Sequence, residues 1–172
     1  PRLTWTDGKS TCAQPCPAGS CGDGFTCINS DKGTYCMPKD VTLCEPCTTN
    51  EACGIPGANG ARCVPIGTLG AFCGKICTES TDCPTGYACS NTKDIAGKDT
   101  KQCQPAAGAV CTCSIRAQIK GLKTACGAAA CLGERACLLS GKPTAPVGGG
   151  LSACSGPTPK PESCNGKDDD CD

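Results

Sequence analysis

The chain has 172 residues, 22 of them Cys, and its 16 basic and 16 acidic residues leave it without net charge. Balanced charge offers nucleic acid no basic surface, and the absence of any His removes Ser/His and Cys/His nucleophile pairs, His metal ligands and covalent haem attachment. Cysteine at this density exceeds the roughly 8–10% that marks a disulfide scaffold, which places the chain in an oxidising compartment, extracellular or at the cell surface.

In chain order, the first unit runs Cys12, Cys16, Cys21, Cys27, Cys36 and then Met37-Pro38. Phe25 to Ile28 reads as a strand, Asn29 to Gly33 as a turn, and Thr34 to Met37 as the returning strand. The second unit runs Cys44, Cys47, Cys53, Cys63 and then Val64-Pro65, and reads as a degenerate copy that has lost one Cys. The third runs Cys73, Cys77, Cys83, Cys89, Cys103 and then Gln104-Pro105, with arms near Tyr87–Ser90 and Lys101–Gln104 and a long polar loop from Asn91 to Thr100. Gly24-Phe25-Thr26-Cys27 in the first unit matches Gly86-Tyr87-Ala88-Cys89 in the third. Counts of 5, 4 and 5 Cys cannot all close internally, so at least one bond must leave its unit. A fourth module holds Cys111, Cys113, Cys126, Cys131, Cys137 and Cys154. It has one short helix near 114–123, marked by Ile115, Ile119 and Leu122, and hairpin arms at Glu134–Leu139 and Leu151–Ser155 around a loose loop, Lys142 to Gly150. Pro157-Thr158-Pro159-Lys160-Pro161 reads as an extended spacer leading to an acidic tail.

These readings divide the chain into repeat 1 (1–38), a degenerate repeat 2 (39–66), repeat 3 (67–105), a six-Cys module (106–156) and a linker with a truncated acidic motif (157–172). The expected fold is small and disulfide-rich: tandem β-hairpin modules with little regular structure. One Trp, two Tyr and two Phe make a poor core, and 37 Gly and Pro residues (23 and 14) raise the entropy of the unfolded chain. Cross-links must compensate, at about 2–4 kcal/mol each. A thiolate metal store is disfavoured, because only Cys111-x-Cys113 and Cys44-x2-Cys47 have tight ligand spacing. All 22 Cys are expected to be oxidised. No apolar run reaches the ~20 residues of a membrane helix. The start at Pro1 and the stop inside a motif at Asp172 read as a piece of a longer secreted chain.

The acidic tail is the one motif that carries chemistry. Asp168, Asp170 and Asp172 stand at i, i+2 and i+4, the spacing of the first three ligands of a calcium loop, and hard oxygen donors favour Ca2+. Cys164 and Cys171 are placed to close a small ring around Asn165-Gly166. No other cofactor is required. The segment Pro161 to Asp172, with its Cys164-Asn165-Gly166-Lys167-Asp168-Asp169-Asp170-Cys171-Asp172 run, resembles the Cys-Asp-Gly-x-Asp-Asn-Asp-Cys-Asp-Gly repeat of MopE-type metal-binding proteins, abundant in surface proteins of myxobacteria and related deltaproteobacteria. The fourth module and the Asp82-Cys83-Pro84-Thr85-Gly86-Tyr87-Ala88-Cys89 step are similar to units of the same surface proteins. The resemblance implies metal binding at the tail. It does not bring copper, for which the chain has neither His nor a Met cluster.

The functional expectation is a non-catalytic structural or interaction protein: a disulfide-braced stalk, adhesin segment or fibre block. Its partners are other domains of a larger surface protein or copies of itself, with neither nucleic acid, haem nor a membrane span. A calcium-binding module and a small Cys-rich inhibitor are the alternatives. Ile55, Ile66, Leu69, Ile95 and Val147 read as exposed apolar loop residues available for assembly.

Overall fold

The computed structural model of the chain describes residues 2–4, 10–12, 14–16, 21–22, 25–30, 33–38, 42–54, 60–127, 131–138, 150–164, 166 and 168–170. A short antiparallel pair, β1 (Arg2–Thr4) and β2 (Ser10–Cys12), precedes three hairpins. These are β4 (Phe25–Ser30) with β5 (Gly33–Pro38), β6 (Cys63–Ile66) with β7 (Gly70–Cys73), and β8 (Tyr87–Lys93) with β9 (Asp99–Pro105). The fold is thus the expected one: disulfide-rich, built of small hairpins, with one short helix.

Each of these three hairpins places two cysteines directly opposite each other: Cys27 and Cys36, Cys63 and Cys73, Cys89 and Cys103. Facing cysteines do not bond to each other. Each reaches instead to the chain before the hairpin, through Cys16–Cys27 and Cys21–Cys36, Cys47–Cys63 and Cys53–Cys73, Cys77–Cys89 and Cys83–Cys103. The four cysteines of each repeat therefore pair first with third and second with fourth. An isolated two-stranded hairpin is marginal in water, and here the loop before it is tied to both arms.

The backbone repeats with the sulfurs. Before the first cysteine, a lead-in segment pairs with the second arm of the hairpin: Pro15 faces Tyr35, Pro46 faces Phe72 and Ile76 faces Gln102. The first is part of a two-residue strand, β3 (Gln14–Pro15). In all three repeats the first cysteine's N–H donates to the carbonyl two residues before the fourth: Cys16 to Thr34 (2.9 Å), Cys47 to Ala71 (3.1 Å) and Cys77 to Lys101 (3.3 Å). Each repeat is a small three-stranded unit ordered lead-in, second arm, first arm. Gly60 and Gly86 stand three residues before the third cysteine with φ of 95° and 88°, a turn into the first arm that a side chain would strain.

This connectivity regroups the cysteines. The expected boundary between residues 66 and 67 is crossed by Cys53–Cys73, because Cys73 is the fourth cysteine of the second repeat. That repeat has lost none. Cys63-Val64-Pro65 lies on the first arm, β6, rather than closing the unit. The anticipated Asn91–Thr100 loop shrinks to Asp94–Lys98, since β8 and β9 zip as far as Lys93 and Asp99. The Asp94 carboxylate accepts N–H bonds from Ala96 (2.9 Å) and Lys98 (3.0 Å), which closes the turn. Ile66 and Leu69 pack against the core instead of standing free, Ile95 is exposed, and Ile55 and Val147 lie outside the described residues.

The fourth module opens with α1 (Ile115–Lys120). The Ser114 hydroxyl accepts from Ala117 N–H as its N-cap, and Gly121 ends it in the left-handed region (φ 59°). An additional strand, β10 (Lys123–Cys126), pairs with β11 (Gly133–Ala136). The anticipated arms do run together, as Leu138 N–H donates to Gly150, Ser152 to Ala136 and Ser155 to Glu134. Cys113–Cys137 and Cys126–Cys154 close the module, and Cys131 is also disulfide-bonded.

The second repeat is the hub. On one side Cys44–Cys111 ties it to the fourth module, and Phe72, 1% exposed, shares a cluster with Cys111, Ala117, Cys137 and Leu151. Burying one such aromatic contributes about 2–3 kcal/mol. Buried Glu45 bonds Ser114 Oγ (2.9 Å) and pairs with Arg116. On the other side Gln102, 0% exposed, donates to Gly60 O (2.9 Å) and accepts from Arg62 N–H (3.3 Å). Asp94 takes a bond from Asn50 Nδ2 (3.0 Å) and lies 4.0 Å from Arg62 Nε. Its carboxyl is held below the usual carboxylate range, first by the Lys98 N–H and then by Asn50, Ala96 and Arg62.

Gly70 shows how close the modules come. Ala71 N–H donates to Thr124 Oγ1 at 2.6 Å, and a Cβ on Gly70 would sit 2.5 Å from that oxygen at a φ of +131°. Gly70→Ala should therefore destabilise the non-reduced protein by about 2 kcal/mol, read as a lower unfolding midpoint in guanidinium with the slope unchanged. Gly67→Ala, with nothing within 4 Å, is the control for backbone strain alone and should cost less.

Candidate metal centre

Two kinds of ligand cluster occur among the described residues. In each repeat three sulfurs come within 4.8 Å of one another: Cys16, Cys21 and Cys36; Cys47, Cys53 and Cys73; Cys77, Cys83 and Cys103. These are the same three positions of the repeat. All are consumed in the crossed disulfides, so none of these sulfurs remains a thiolate able to bind a soft metal. They record two disulfides stacked against each other.

The other cluster is carboxylate. Past the Pro157–Pro161 spacer the chain turns back on itself. Lys160 N–H donates to Asp169 O (2.8 Å), and Asp169 N–H donates to Glu162 Oε2 (2.9 Å). Ser163 Oγ donates to Asp169 Oδ2, and Gly166 takes a φ of 75° at the tip. The Asp169 carboxylate is thus turned toward Ser163, while Glu162, Asp168 and Asp170 bring carboxylate oxygens within 4.8 Å of one another.

The geometry keeps Asp168 and Asp170 from the expected set and adds Glu162, while Asp172 lies outside the described residues. Alternate spacing along one strand of chain could not reveal Glu162, which arrives from the opposite side of the turn. Its signal was the Asn165-Gly166 pair, a strong turn former, midway between Glu162 and Asp169.

The ring expected between Cys164 and Cys171 requires a correction. Cys164 is a free, exposed cysteine, and Cys171 lies outside the described residues. The Lys160–Asp169 and Asp169–Glu162 hydrogen bonds close the turn without sulfur. The other expected cysteines bond as given above, except Cys12, of whose side chain nothing is described.

Elsewhere Asp82 is engaged in bracing. Asp82 Oδ2 accepts from Thr78 N–H (2.7 Å), Thr78 Oγ1 (2.7 Å) and Glu79 N–H (3.1 Å). The Thr78 bonds dominate and lower its pKa to about 2. Among the described residues no helix is long and apolar enough to cross a membrane. No family model matches the chain, and no curated protein and no solved structure matches it.

Proposed function

We propose that this protein is a non-catalytic structural or interaction element of an extracellular or cell-surface assembly, a braced segment of a stalk, adhesin or fibre. The observation that supports the reading is the braced block itself. One crossed disulfide pair occurs three times, and its central copy is fastened to the fourth module by Cys44–Cys111 and Glu45 and to the third repeat by Gln102 and Asp94. Such an array holds its shape without a large core, and disulfides at this density belong to an oxidising environment. Immunogold labelling of unpermeabilised source cells, with fractionation, tests it. Label at the surface or in insoluble extracellular material is expected. Label confined to the cytosol would contradict the proposal.

A second reading, calcium binding by the tail, has its own observation. Glu162, Asp168 and Asp170 gather hard oxygens on one turn, and a divalent cation would relieve their mutual repulsion. Three carboxylates supply part of the six to eight oxygens that calcium takes, so the remainder would come from water and neighbouring backbone. Calorimetric titration of the non-reduced protein with calcium should give a binding heat that disappears in the Asp168→Asn, Asp170→Asn double variant. Glu162→Gln should weaken it. No heat in the unaltered chain, or heat unaffected by these changes, contradicts this reading and leaves the structural one standing.

A further inference from the structure

The lead-in strand is an outer edge of every repeat, and what stands there differs between repeats. Around each lead-in pair the ladder bonds come from the flanking residues: Cys77 N–H to Lys101 O and Cys103 N–H to Lys75 O in the third repeat, Cys47 N–H to Ala71 O and Cys73 N–H to Glu45 O in the second. Antiparallel strands alternate bonded and non-bonded positions. The residue between the flanking bonds therefore directs its own N–H and C=O outward, away from the sheet. In the first and second repeats that residue is Pro15 or Pro46, which has no N–H and blocks strand addition. In the third it is Ile76. Its N–H has no partner among the described residues, and its side chain leans on Gly60 while remaining 55% exposed.

We infer that the Ile76 edge is an association site for a second copy of this chain, paired antiparallel with the same edge around a twofold axis. An edge residue that offers one donor and one acceptor is complementary to itself under that symmetry: Ile76 N–H meets the partner's Ile76 C=O, and the reciprocal bond forms at the same time. The register sets the two isoleucine side chains beside each other and places Lys75 opposite the partner's Cys77, so like charges are not opposed. The Lys75 ammonium is drawn off to the Asp82 carbonyl (2.8 Å). A net charge of zero adds no long-range repulsion. The edge is short, so a single pairing is weak. Many copies on one surface would hold together by multivalency. The inference deepens the assembly reading above and rests on it.

Sedimentation velocity of the intact, non-reduced chain, with Cys164 alkylated so that thiol coupling cannot contribute, tests the edge. The mass should rise about twofold between micromolar and millimolar protein. Ile76→Pro, which installs the residue that the equivalent positions already carry, should remain a monomer with its disulfides and unfolding midpoint intact. Amide exchange needs no variant: protection of the Ile76 N–H should increase with concentration. A dimer that survives Ile76→Pro, or Ile76 exchange independent of concentration while the chain associates, overturns the edge and leaves assembly through another surface. A wild-type monomer at millimolar concentration overturns both the edge and self-association.

Discussion

The structure depends on a crossed pair of disulfides. In each repeat a hairpin sets two cysteines side by side on facing arms, and both reach back to the segment that precedes the hairpin. The cysteines alternate, so neither loop can open without crossing the other. Separations of 11 to 20 residues within the repeats correspond to about 3 kcal/mol per bond in the chain-entropy account. Cys44–Cys111 spans 67 residues. It closes a shorter effective loop once the repeat disulfides have formed, and its gain shrinks accordingly. Sulfur takes much of the place that aromatic side chains hold in larger cores: among the described residues, Cys47, Cys53, Cys63, Cys73 and Ala71 form one buried cluster of the second repeat.

Polar groups then decide how the modules sit on one another. Gln102, Glu45 and Asp94 are buried, and each is satisfied by the neighbouring module rather than by its own repeat alone. Removing a partner from such a group leaves a buried donor or acceptor unmet, at about 1–3 kcal/mol. These contacts accordingly fix orientation more than they add affinity. The residue before the fourth cysteine shows the division of labour. It is Phe72 where the second repeat meets the fourth module's apolar cluster, and Gln102 where the third repeat meets backbone polar groups at Gly60 and Arg62.

The sequence made some of this legible. The Gly-aromatic-x-Cys step and the Cys-x-Pro close turned out to face each other across the hairpins, Phe25 opposite Pro38 and Tyr87 opposite Pro105, which is why the arms could be read locally. Helix α1 was marked by the spacing of Ile115, Ile119 and Leu122. The pairing of sulfurs was hidden. Cys73 stands four residues before Cys77, as Cys12 stands before Cys16, so it read as the opening of the third unit. Only its register opposite Cys63 reveals it as the end of the second. Strand β10 was too short to show a period. Gln102, Glu45 and Asp94 look like ordinary surface residues until a neighbouring module covers them, and Glu162 joins Asp168 and Asp170 only through the fold of a turn.

A disulfide map made without reduction tests this account most directly. Alkylation of the intact chain, then proteolysis or stepwise reduction with mass spectrometry, should label Cys164 and recover first-to-third and second-to-fourth linkages in all three repeats, with Cys44 joined to Cys111. Bonds between the facing cysteines themselves, such as Cys63 to Cys73 or Cys89 to Cys103, would contradict it, as would a map that leaves Cys53 unlinked to Cys73.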